Sequence, residues 1–112
     1  MNTGRKRKPR KDRPHVIYQL TVGKKTYIGV TFIRKQSVAK TMRARILQHW
    51  YNAHDHNYQW GLSAALRKLD SIEDIEYEIL ERVKGKQAAH TRERELISDL
   101  QPKLNTDIRA RR

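Results

Sequence analysis

Residues 16–32 read VIYQLTVGKKTYIGVTF, two runs dense in β-branched and aromatic side chains on either side of Gly23-Lys24-Lys25. That composition predicts a hairpin with strands at 16–22 and 26–32. Glycine followed by two lysines leaves the turn type open. Side chains alternate along a strand, so Val16, Tyr18, Leu20 and Val22 fall on one face of the first, and Tyr27, Gly29 and Thr31 on one face of the second. Tyr18 and Tyr27 can then share a face.

Beyond the hairpin the apolar spacing changes to the helical period. Ser37 is a candidate N-cap for a helix reaching Ala53, with Ala39, Met42, Ile46, Trp50 and Ala53 in one stripe. Arg45 and His49, four residues apart, stand one above the other beside it. HDHNYQWG reads as a connection, and Leu62, Ala65, Leu66 and Leu69 form the ridge of a second helix after Gly61. Residues 75–83, IEYEILERV, predict a third strand with Ile75, Tyr77 and Ile79 facing one way. Glu76 and Glu78 face the other, as suits a sheet edge. A third helix over 86–100 ends before Pro102, its stripe formed by Ala89, Leu96, Ile97 and Leu100 with Glu93 inside it. The order β-β-α-α-β-α, without repeats, predicts a mixed α/β or α+β domain whose strand order the pattern leaves open.

The chain has 112 residues, enough for one domain, and no cysteine, which excludes disulfides, zinc thiolates and thiol nucleophiles. The formal charge of +13 makes a polyanion the expected partner. Arg5, Lys6, Arg7, Lys8, Arg10, Lys11 and Arg13 crowd into residues 1–14, which are expected to be a disordered basic arm on nucleic acid or a solubilising tail. The folded domain is expected over 15–108, with a basic tail at 109–112. Val16 to Val22, broken by Tyr18, Gln19 and Thr21, is too short to span a bilayer, so the expected location is cytoplasmic, at a nucleoid or in a host cell.

Three groups can carry chemistry. Glu93 on a buried stripe is costly unless a cation or donor meets it; it is either an edge-of-core glutamate or a ligand for a hard divalent ion such as Mg²⁺. Arg45 and His49 are either a solvated basic face or a pair addressing one phosphate. Tyr18 and Tyr27 are either sheet aromatics or phenols able to position water and move a proton, with Lys24 and Lys25 holding a substrate backbone. Walker, HExxH, HNH-type and helix-turn-helix signals are absent, as is a dense carboxylate cluster.

Taken together, these residues resemble the GIY-YIG nuclease family from about Val16 to Asn105. Val16-Ile17-Tyr18 stands at the GIY tripeptide, with valine for its glycine, and Tyr27-Ile28-Gly29 matches YIG intact. RARILQHW supplies the helical arginine and histidine as Arg45 and His49. ERELISDLQPKLN carries the metal-binding glutamate as Glu93 and the final asparagine as Asn105. The stretch 33–40 is insertion-like, which leaves Arg43 as a rival to Arg45, although the His49 spacing favours Arg45. The resemblance implies a three-stranded antiparallel sheet flanked by helices and a metal-dependent DNA endonuclease using Mg²⁺, or Mn²⁺, held by Glu93. It further implies Tyr18 as general base or water-positioning group, Tyr27 as a second phenol, Arg45 as phosphate clamp, His49 as support, Asn105 as a brace, and Gly29 as a point of close approach. DNA is the implied partner of a monomer, or of a homodimer on DNA, and size suggests a phage or mobile-element enzyme. A non-catalytic basic nucleic-acid-binding protein on the same scaffold is the alternative, followed by an RNA-directed nuclease.

Overall fold

A computed structural model of the chain describes residues 13–33, 37–56 and 61–105. The elements are β1 (Pro14–Val22), β2 (Lys25–Phe32), α1 (Val38–His56), α2 (Gly61–Arg67), β3 (Glu76–Lys84) and α3 (Lys86–Leu100). Short 3-10 turns lie at Ile72–Asp74 and Lys103–Asn105. Most of the expected basic arm and all of the C-terminal tail lie outside the described residues, while Pro14 already belongs to β1.

The architecture is α+β, a three-stranded antiparallel sheet of order β2-β1-β3 flanked by helices. In the hairpin Val22 pairs with Lys25, so Lys25, expected in the turn, opens β2 and the loop is Gly23-Lys24 alone. Gly23 has φ +65° and Lys24 a negative φ, the signature of a type II′ turn, whose twist matches that of the strands it joins.

Because β1 is central, both of its faces are covered. Val16, Tyr18, Leu20 and Val22 enter one core with Met42, Ile46 and Ala53 of α1, Leu62 and Leu66 of α2, and Leu104. Ile17 and Ile28, on the opposite face by alternation, are buried outside that core together with Ala89 of α3, which packs against all three strands. Each such apolar side chain contributes roughly 1.5–3 kcal/mol by leaving water. Val16, fully buried, fills space that a glycine would leave open.

Four expectations need correction. Ala39 is exposed and Val38 packs on the core in its place. The helix starts on its expected cap, Ser37 Oγ accepting from Lys40 N at 3.1 Å, but runs on to His56, taking in residues expected in the connection. Leu100, assigned to the stripe of α3, is 53% exposed. Tyr77 is 43% exposed, on β3 at the edge of the sheet.

β3 also carries a bulge. Tyr18 pairs with Ile79 but Ile17 pairs with Glu81, so Leu80 is the extra residue and the alternation switches face after it. Glu81 is thereby turned toward α3, where Arg92 Nε donates to its carboxylate at 2.8 Å. At the end of α3, Gln101 takes a left-handed conformation (φ 51°) and its N–H closes on the Ile97 carbonyl at 2.9 Å before Pro102. The chain then turns back to bury Leu104 and Asn105. No helix among the described residues is long and apolar enough to cross a membrane.

Candidate active site

Tyr18 sits in the middle of the central strand, and its fully buried ring points toward α1. Register sets it opposite Gly29, and the ring occupies the space a side chain there would need. A Cβ on residue 29 would lie 2.6 Å from the Tyr18 hydroxyl oxygen and 2.7 Å from Cζ. The close approach expected of Gly29 is therefore that of Tyr18 itself.

The Tyr18 hydroxyl is held from two sides by one helix face. Arg45 Nε donates to it at 3.2 Å, and His49 Nε2 lies 2.9 Å away. Arg45 can only donate, so the phenolic proton is available to His49 Nε2, which accepts it in the tautomer that carries the ring proton on Nδ1. Burial, reinforced by the Arg45 charge, pulls the His49 pKa down to about 4, so the imidazole is neutral at physiological pH. Burial pushes the Tyr18 phenol up; the charge and hydrogen bond of Arg45 oppose this, and Glu93 adds to it. The hydrogen-bonded chain runs from Arg45 through Tyr18 to His49.

Arg45 is oriented a second time by Gln48, whose Oε1 accepts from Nη1 at 2.8 Å, leaving other N–H groups of the fork for an anion. Arg43 is exposed on α1, so Arg45 is the arginine that faces the phenol. Tyr27 is half-buried, its ring edge-on to His49 with centroids 5.5 Å apart and 6.5 Å from that of Tyr18.

Glu93 arrives from α3, on the far side of the sequence, close enough for its charge to act on both Tyr18 and Arg45. Its side chain is 16% exposed, and His90 Nδ1 lies 3.5 Å from Oε1. Burial raises the Glu93 pKa, partly offset by His90, Arg94 and Arg45. Among the described residues no cluster of three or more His, Cys, Asp or Glu side chains is gathered as for a metal ion.

Asn105 braces β2 rather than touching these groups. Its Oδ1 accepts from Ile28 N at 2.8 Å and its Nδ2 donates to Ile28 O at 2.9 Å. The side-chain amide thus replaces a neighbouring strand on the open edge of β2, between Tyr27 and Gly29. Lys24 and Lys25 do not join the cluster; they are exposed at the hairpin turn beside a separate groove.

Sequence reasoning missed Gln48 and His90. Both stand three residues from a residue it did single out, on the same helix face, and helical spacing alone would have found them. Comparisons with family models, with curated proteins and with solved structures each return no match.

Proposed function

We propose that the chain is a metal-dependent nuclease that hydrolyses DNA phosphodiester bonds, as its GIY-YIG-like motifs suggest. The observation that carries this reading is the Tyr18 hydroxyl fixed between Arg45 and His49 with the Glu93 charge acting on it. Three separate elements converge there, and a plain sheet tyrosine needs none of those neighbours.

Glu93 suits a hard divalent cation. Its carboxylate is largely withdrawn from water and its ionised form is disfavoured by burial, so an added positive charge is welcome. A single carboxylate also matches the preference of Mg²⁺ for few protein ligands. Such an ion, when bound, supplies neutralisation of charge on the phosphate and on the leaving oxygen.

Arg45 receives a phosphate oxygen on the N–H groups not used by Tyr18 and Gln48. Tyr18 is fully buried, with Arg45 Nε on its hydroxyl. Binding a phosphate shifts the guanidinium toward it while Nε keeps its bond to Tyr18, and this gives the attacking water access to the phenolic oxygen. Tyr18 then takes a proton from the attacking water and passes its own to His49 Nε2, which is neutral and already in line. Water oxygen bonds to phosphorus as the bond to the leaving oxygen breaks, and that oxygen takes a proton from solvent. Tyr18 never has to ionise fully, which its raised pKa would oppose.

The test is incubation of supercoiled plasmid with the protein in Mg²⁺, Mn²⁺ or EDTA beside Glu93→Gln. Conversion to open-circular or linear DNA that needs metal and is lost in the variant supports the reading. DNA binding without conversion under every condition would replace it with the non-catalytic one, and cleavage confined to a matched RNA duplex would redirect it to RNA.

A further inference from the structure

A groove of about 480 Å³ opens at the turn end of the sheet, where the hairpin tip, α2 and the 3-10 turn at Lys103–Asn105 meet. Lys24 and Lys25 line it from the turn, Lys68 from just beyond α2, and Lys103 from the C-terminal turn. All four lysines are exposed, and none of the described lining residues is acidic or aromatic. Ala64 and Leu69 belong to its apolar part. Three distant stretches of chain therefore bring like charges to one concave surface with no counter-charge among its described lining residues, an arrangement that an anion relieves.

We infer that this groove is a second binding site, for the sugar–phosphate backbone of the DNA strand, apart from the cluster at Tyr18. Lysines at the rim match phosphates as point charges, and the small apolar surface suits deoxyribose. None of the described lining residues offers an aromatic platform for bases, and lysine-to-phosphate contacts carry no sequence information. It lies beside Val22, four residues along β1 from Tyr18 and so about 13 Å away. That separation is roughly four base steps of duplex, enough to hold backbone flanking the scissile phosphate without crowding it. The assignment of DNA rests on the proposed function, but occupancy of the groove is testable without cleavage.

The experiment is fluorescence anisotropy of a short labelled duplex in EDTA over a salt series. It compares the wild-type chain with Lys68→Gln/Lys103→Gln and with Ala64→Trp, which fills the groove at unchanged charge. Lys84→Gln/Lys86→Gln, at the opposite end of the sheet, is the charge-matched control. The groove double variant should lower the slope of log affinity against log salt by about one to two. Its affinity should fall about tenfold at low salt, the control's under about threefold, and that of Ala64→Trp about as far as the groove double. Equal losses in the two double variants would overturn the proposal, because net charge alone would then account for binding. Wild-type affinity in an Ala64→Trp protein of normal circular dichroism would overturn it equally. Plasmid nicking is scored separately: nicking with no groove effect removes the groove alone, and a groove effect with no nicking removes the catalytic reading alone.

Discussion

Asn105 and Ile28, 77 residues apart in sequence, exchange two hydrogen bonds through one buried side-chain amide. The pair ties the last described turn to the edge strand that carries Tyr27 and Gly29. Asn105→Ala strands the N–H and C=O of Ile28 in a dry place, at about 1–3 kcal/mol for each group left without water. Asn105→Asp keeps an acceptor for Ile28 N but turns an anionic oxygen on Ile28 O at neutral pH. Its loss should exceed that of a neutral isostere and shrink on acidification, since the protonated carboxyl can again donate. Denaturant melts at two pH values measure both effects.

Gly29→Ala should unsettle Tyr18 directly. The new methyl would meet the phenol at 2.6 Å, and the ring is held in place by Arg45 and His49. Overpacking of this kind costs about 1–3 kcal/mol, which thermal unfolding reads as a drop of about 4–8 °C per kcal/mol. A variant as stable as the wild type would show that the ring can step aside.

His49 gives the fold an acid-sensitive component. Its pKa is about 4 in the folded chain against 6.5 for a free imidazole, so between those values the unfolded chain binds the extra proton. Stability therefore rises with pH through that window and is lost as pH falls from about 6.5 toward 4, by up to roughly 3 kcal/mol. Glu93 acts with the opposite sign, because its raised pKa makes the folded chain the better proton binder above the ordinary carboxylate range. His49→Gln should flatten the first dependence and Glu93→Gln the second, in stability–pH profiles of the two variants.

Glu93→Gln should also separate stability from activity. Removing a carboxylate whose ionised form burial disfavours should hold or raise the melting temperature at neutral pH, while metal-dependent nicking disappears. A large fall in melting temperature would instead mark the contact with His90 as structural.

Arg45→Lys keeps the charge and loses the fork that serves Tyr18 and Gln48 together. Nicking should fall about 10²–10³-fold, as for loss of a donor to developing charge. Gln48→Ala, which frees Nη1 and leaves Nε in place, should fall much less. Equal losses in both would move the weight from phosphate binding to orientation of the arginine.

Local periodicity made much of this molecule legible. Alternation of two identified the hairpin and the shared face of Tyr18 and Tyr27, and the helical spacing put Arg45 and His49 one above the other. It failed where a neighbouring element decides the outcome. Tyr77 and Leu100 have the right spacing for burial, yet about half of each stays exposed. The Leu80 bulge turns Glu81 to a face that strict alternation would not assign.

Read alone, the sequence determined the order and type of the elements, the excess of positive charge and the residue types able to handle a phosphate, because these follow from composition and short-range spacing. Only the tertiary structure set Arg45 Nε on the buried Tyr18 hydroxyl, made Asn105 a substitute strand for Ile28, and drew Lys24 and Lys25 into a groove with Lys68 and Lys103. Such relations link residues far apart along the chain, and they exist only once the faces of the sheet have been covered and the packed helices fix which side chains can meet.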